Sequence, residues 1–224
     1  MKEIEVEFPL EIDQQAFTER SGAENLILDE KIKILMRENR IGISIQSLKK
    51  IEFPTENKTR ADLKIICLAH AHPECEYDWV TATVNFSKYQ GIVIKDLSPR
   101  EVVGNPVKMT TTYTSGANFE VDASLVKAGL KYDKELAAEK DVYFPSITSS
   151  GIGFAYAQWE FRAGGERASL HVDQDLRILL EYPFLTKFVS VKFIVRAEVA
   201  VRGMLSYIPL VGTREVEFEV SANF

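Results

Sequence analysis

Apolar and polar residues alternate along much of this chain. Ile4, Val6, Phe8 and Leu10 are spaced by Glu5, Glu7 and Pro9, the period of two that belongs to a half-buried strand. The period returns from Ile41 to Ile45, from Leu63 to Leu68 and from Val80 to Phe86. Its longest run is Val189 to Val201, where Val, Phe and Ala hold every odd position. That predicts a strand well beyond the usual five or six residues. Val216, Phe218 and Val220, set among Glu215, Glu217 and Glu219, predict a last one.

Pro and Gly punctuate these runs. Phe53-Pro54, Ser98-Pro99, Gly104-Asn105-Pro106, Gly164-Gly165, Ile208-Pro209 and Val211-Gly212 all read as turns. Many strands separated by turn signals predict an all-β fold, an antiparallel β-sandwich.

Two stretches carry both periods. Leu28, Ile32, Leu35 and Met36 have helical spacing, yet Ile32, Ile34 and Met36 alternate. In 118–140, Phe119, Val121 and Ala123 alternate, while Phe119, Ala123, Val126 and Leu130 fit a helix face. A strand with a slip at Leu125-Val126 is the expectation there, with a helical turn over Glu135–Lys140.

Short matches recur in order at a nearly constant offset. Ile41-Gly42-Ile43 returns as Ile152-Gly153-Phe154, Asp62-Leu63-Lys64-Ile65 as Asp175-Leu176-Arg177-Ile178, and Arg100-Glu101-Val102 as Arg214-Glu215-Val216. This suggests a duplicated β unit, 1–105 and 106–224, either in tandem or folded as one pseudo-symmetric domain.

The chain has 224 residues, 46% apolar and 27% charged, enough to bury a core. A net charge of −6 without a basic block argues against nucleic acid as a partner. The acidic start is unlike a signal peptide, and two cysteines do not make a disulfide framework. A cytoplasmic protein with reduced thiols is the expectation.

One compact group has metal chemistry. Cys67, His70, His72 and Cys75 lie within nine residues and are ligand types that zinc prefers. Parity places Cys67 across the strand from His70 and His72, so the four converge only if the chain bends after Leu68. The matching segment of the second half, Glu181-Tyr182-Pro183-Phe184, has no such ligands.

No catalytic residue is assigned. His171, expected on a strand, lacks an evident partner, and Ser149-Ser150-Gly151-Ile152-Gly153 lacks the full nucleophile-elbow and phosphate-loop patterns. No small-molecule ligand is identifiable. The first functional reading is a non-enzymatic binding or assembly module, with a protein partner or its own copies meeting loops, edges or the apolar stretch Met204–Gly212. The second is a membrane-acting, pore-forming type of β protein. It rests on the Thr-rich run Lys108–Ser115 and the amphipathic alternation of Phe119–Leu130. The third is a metal-dependent enzyme at Cys67–Cys75.

Overall fold

The runs that begin at Ile4, Ile41, Leu63, Val80, Val189 and Val216 each lie in a strand. A computed structural model describes residues 4–13, 15, 30–51, 58–113, 136–163, 170–184, 186, 188–201 and 210–221. The chain runs through β1 (Ile4–Pro9), β2 (Glu11–Ile12), α1 (Glu30–Glu38), β3 (Arg40–Ile51), β4 (Lys58–His70), β5 (Cys75–Asn85) and β6 (Val93–Ser98). It continues through β7 (Glu101–Tyr113), β8 (Leu136–Ser150), β9 (Tyr156–Arg162), β10 (Val172–Pro183), β11 (Phe188–Val201) and β12 (Leu210–Ser221).

The strands form two antiparallel sheets, the β-sandwich that the pattern predicts. The first has the order β1-β3-β4-β10-β6 and the second β2-β12-β11-β5-β9-β8-β7. In β11, Val189, Val191, Phe193, Val195, Ala197 and Val199 are at most 3% exposed, and the residues between them are less buried. Ile41, Ile43, Ile45, Leu63, Ile65 and Ile178 answer them from the first sheet. Each such side chain contributes about 1.5–3 kcal/mol by leaving water. Trp159, Tyr77, Phe86, Phe161 and Phe193 are the largest fully buried side chains among the described residues.

Where the two periods competed, packing decided. Glu30–Glu38 is a helix: Leu35 and Met36 are buried while Ile34 is 53% exposed, so the alternation of Ile32, Ile34 and Met36 is overridden. Asn39 ends it, its side-chain amide donating to the Leu35 carbonyl at 2.7 Å. The expected helical turn at Glu135–Lys140 is instead strand from Leu136 onward, because these residues pair with β7. Two expected turns also lie inside strands. Gly104-Asn105-Pro106 falls in β7 at a shift of register, and Val211-Gly212 falls in β12. Gly212 is there because the chain packs closely: a Cβ would meet Leu10 Cβ at 2.8 Å and Met36 Cε at 3.1 Å.

The two halves of the chain share both sheets. β4 pairs with β10 and β5 with β11. Beyond those pairs the neighbours differ, since β3 flanks β4 whereas β6 flanks β10. The boundary expected between 105 and 106 falls inside β7.

Candidate functional site: the β7–β8 arm

β7 and β8 pair over their whole length, from Glu101 opposite Thr148 to Tyr113 opposite Leu136. β9 joins β8 only through Ile147–Ser150. Among the described residues, the ladder beyond that point is therefore two strands wide. It forms an arm at the end of the seven-stranded sheet.

The root of the arm is irregular for a reason. Register shifts fall between Val102 and Val103 and between Val103 and Pro106, and Pro145 stands opposite Val103. A bulge bends the strand, and proline has no N–H to offer a third strand. Past the root the register is regular from Val107 opposite Val142 outward.

One hydrogen bond from β9 and three from β8 hold this root. Trp159 is fully buried, and its indole N–H donates to the Pro99 carbonyl at 3.1 Å. The Ser149 amide and hydroxyl both donate to the Arg100 carbonyl, at 2.8 and 3.2 Å. Ser146 Oγ donates to the Val102 carbonyl at 3.1 Å. Thus the Gly-rich segment Ser149–Gly153 is a structural turn. Gly151 has φ +119, and a Cβ there would lie 2.0 Å from the Tyr156 carbonyl oxygen.

The cysteine–histidine segment is a connection between the sheets. Cys67 and Cys75 are both buried, and neither is in a disulfide. Burial pushes the Cys67 thiol up to about 12, so it is a protonated core group rather than a ready thiolate. His70 is exposed, while its carbonyl accepts from the Tyr77 hydroxyl at 3.2 Å. Burial, then Cys75 and Cys67 nearby, raise the pKa of that phenol. His72 is held at the turn: its amide donates to Asn39 Oδ1 at 2.9 Å, its Nδ1 accepts from the Glu74 amide at 3.2 Å, and its Nε2 lies 3.1 Å from Glu38 Oε2. Among the described residues, no three His, Cys, Asp or Glu side chains are grouped to hold a metal ion. His171 is exposed and precedes β10 rather than lying on a strand.

Sequence reading missed the ionic cluster on the outer side of β10. Glu181 is buried and meets Lys58 Nζ at 3.2 Å, Arg60 Nε at 3.1 Å and Lys95 Nζ at 3.2 Å. Burial alone would raise its pKa, but the bonds from Lys95, Arg60 and Lys58 outweigh that and hold it below the usual carboxylate range. Asp62, also buried, is paired with Arg177. A cleft of about 110 Å³ lies alongside, lined by Asp96, Leu97, Ser98, Arg177 and Leu179. That is below the range of small-molecule sites.

Two sequence candidates lie outside the described residues: Phe119–Leu130, and Met204–Pro209 of the apolar connection. Among the described residues, no helix is long and apolar enough to cross a membrane.

No protein-family model matches the chain, and no curated protein matches it. Among solved structures it is similar to Clostridium perfringens delta-toxin, with TM-score 0.42 and 10% identity over 82% of this chain and 83% of that one. It is similar to the Clostridium perfringens NetB toxin in its membrane-inserted form, with TM-score 0.38 and 9% identity over 81% and 89%. A structure titled "Pore forming protein" gives 0.39 and 8% over 82% and 84%. Likenesses of this strength carry no argument about function.

Proposed function

We propose that this chain acts on membranes as a pore-forming type of β protein, and that the β7–β8 arm with residues 114–135 is the part that inserts. The observation that carries the reading is the register of the arm. Val107 opposite Val142 and Tyr113 opposite Leu136 follow one constant offset. In an inserted hairpin that keeps this offset, Ala117 stands opposite Tyr132, Phe119 opposite Leu130, Val121 opposite Ala128 and Ala123 opposite Val126. The tip is then Ser124-Leu125. The break in alternation at Leu125-Val126 becomes the place where the chain reverses, and every one of these apolar positions falls on one face.

The other face is charged or polar apart from Gly129 and the tip. It pairs Asp122 with Lys127, Glu120 with Gly129 and Asn118 with Lys131. One apolar face and one polar face are what a strand needs between lipid and a water-filled lumen. From Ser115 to Ser124 each strand has about ten residues, and a tilted membrane strand needs about 9–11. Tyr113, Tyr132 and Lys134 fall where the interface would lie, as aromatic girdles and snorkelling lysines do.

A lone hairpin leaves two unpaired edges in lipid, which is untenable. Membrane barrels begin at about eight strands, so about four or more copies must contribute arms. Self-assembly is therefore part of this function rather than a competing reading. The test is release of a trapped dye from lipid vesicles by the purified chain. Release that disappears when Phe119–Leu130 is replaced by a Gly-Ser linker supports the reading. A wild-type chain inert toward vesicles of every composition tried, with intact fold, overturns it.

A further inference from the structure

Between its root and its tip, the arm sorts charge by face. The described pairs place Lys108 opposite Asp141, Thr110 opposite Glu139 and Thr112 opposite Ala137 on one face, and Met109 opposite Lys140 on the other. Residues 107–142 hold eleven charged side chains in all. Carried along the same offset, all six carboxylates fall on the polar face: Glu120, Asp122, Asp133, Glu135, Glu139 and Asp141. Lys108, Lys127 and Lys131 share that face, while Lys134 and Lys140 are the two charges on the apolar one.

The polar face therefore carries −3 per copy, three lysines against six carboxylates. At this offset Asp141 and Asp122 stand opposite lysines, and the other four carboxylates stand opposite Thr110, Thr114, Gly116 and Gly129. The sign depends on the register. A slip of one residue would group Lys134 and Lys140 with Lys108, Glu120 and Asp122, a lining of +1. In a barrel each position recurs once per copy, so the polar face becomes a stack of charged rings. Rings of carboxylates favour cations and rings of lysines favour anions.

We propose that the channel lined by the polar faces of the inserted arms passes cations in preference to anions, with Glu139 and Asp141 among the selecting charges at the end nearer the body. This rests on the insertion proposed above and adds the class of solute that crosses. The low-dielectric wall of a barrel focuses the field of its lining into the lumen, where it raises the local concentration of cations. Salt screens that field: the screening length falls from about 10 Å at about 0.1 M to about 3 Å at about 1 M. The preference is therefore strongest in dilute salt.

The test is channel recording in planar bilayers of uncharged lipid under a KCl gradient, where the reversal potential gives the ratio of K⁺ to Cl⁻ permeability. Wild type should favour K⁺ by more than about threefold at about 0.1 M, and the ratio should fall toward unity at about 1 M. Glu139→Lys/Asp141→Lys turns the lining from −3 to +1 per copy and should invert the preference. Glu139→Gln, which keeps the shape, should lower the ratio part of the way. Lys140→Gln, one residue along on the other face, should leave it within about twofold. Thermal melts check that each variant is folded. Wild-type channels that favour Cl⁻ or do not discriminate overturn the proposal and leave the pore reading standing. So does a ratio that Glu139→Gln leaves unmoved, or that Lys140→Gln moves as far. A folded chain that opens no channel in any bilayer sinks the pore reading and this proposal with it.

Discussion

Trp159 holds the root of the arm to the body, and replacing it measures that grip. The side chain is 0% exposed and its N–H reaches the Pro99 carbonyl at 3.1 Å. Trp159→Phe keeps an aromatic ring but removes the donor. Removing the donor leaves the carbonyl of half-buried Pro99 without this partner, which costs about 1–3 kcal/mol. A loss of about 2–3 kcal/mol is expected for Phe, and about 3–5 kcal/mol for Trp159→Ala, which also leaves a cavity. For a chain of this length each kcal/mol lowers the melting temperature by about 2–4 °C. Thermal melts followed by circular dichroism should therefore show a drop of about 4–12 °C for Phe and more for Ala. Amide exchange at Arg100–Val103 should quicken in both variants more than exchange in β11. A Phe variant melting within about 1 °C of wild type would show that this bond does not fasten the root.

Two further expectations follow from the buried charges and thiols. Glu181→Gln keeps the shape but removes the charge that Lys58, Arg60 and Lys95 share. Because the folded carboxyl is held low, its stabilisation is present above the unfolded value near 4.5 and lost as pH falls through the folded value. With cations 38–56% exposed, the loss at pH 7 should be modest, about 1 kcal/mol, and the two chains should converge in acid urea titrations. Cys67 and Cys75, both buried and outside any disulfide, should resist a thiol reagent at pH 8 in the folded chain and both react in urea. Rapid reaction of the folded chain would place them at the surface.

Strands with one clean period were legible in the sequence because burial on one face leaves no other solution. β11, β4 and β12 are of this kind. α1 was not, since Ile32, Ile34, Leu35 and Met36 satisfy two periods and only packing of Leu35 and Met36 separates them. Gly212 read as a turn because glycine serves turns and close approaches alike, and the approach of Leu10 from the N-terminal segment is not local information. The Glu181 cluster was hidden for the same reason: its cations come from β4 and β6, far apart in the chain. The cysteines and histidines made a dense motif, but a strand and a sharp turn hold Cys67 and His70 on opposite sides. The arm was half legible. Its alternation was in the sequence, whereas its register came from the pairing of β7 with β8.

The central claim is that adjacent residues of the arm face opposite media, and one comparison tests it. Phe119→Arg and Glu120→Arg place the same side chain one residue apart near the expected mid-bilayer, opposite Leu130 and Gly129. Arginine on a lipid-facing position there costs about 2–4 kcal/mol per copy, and on a lumen-facing position little. Dye release should fall by more than about tenfold for Phe119→Arg and change by no more than about twofold for Glu120→Arg. Equal loss in both, or the reverse order, would contradict the inserted register and with it the proposed function.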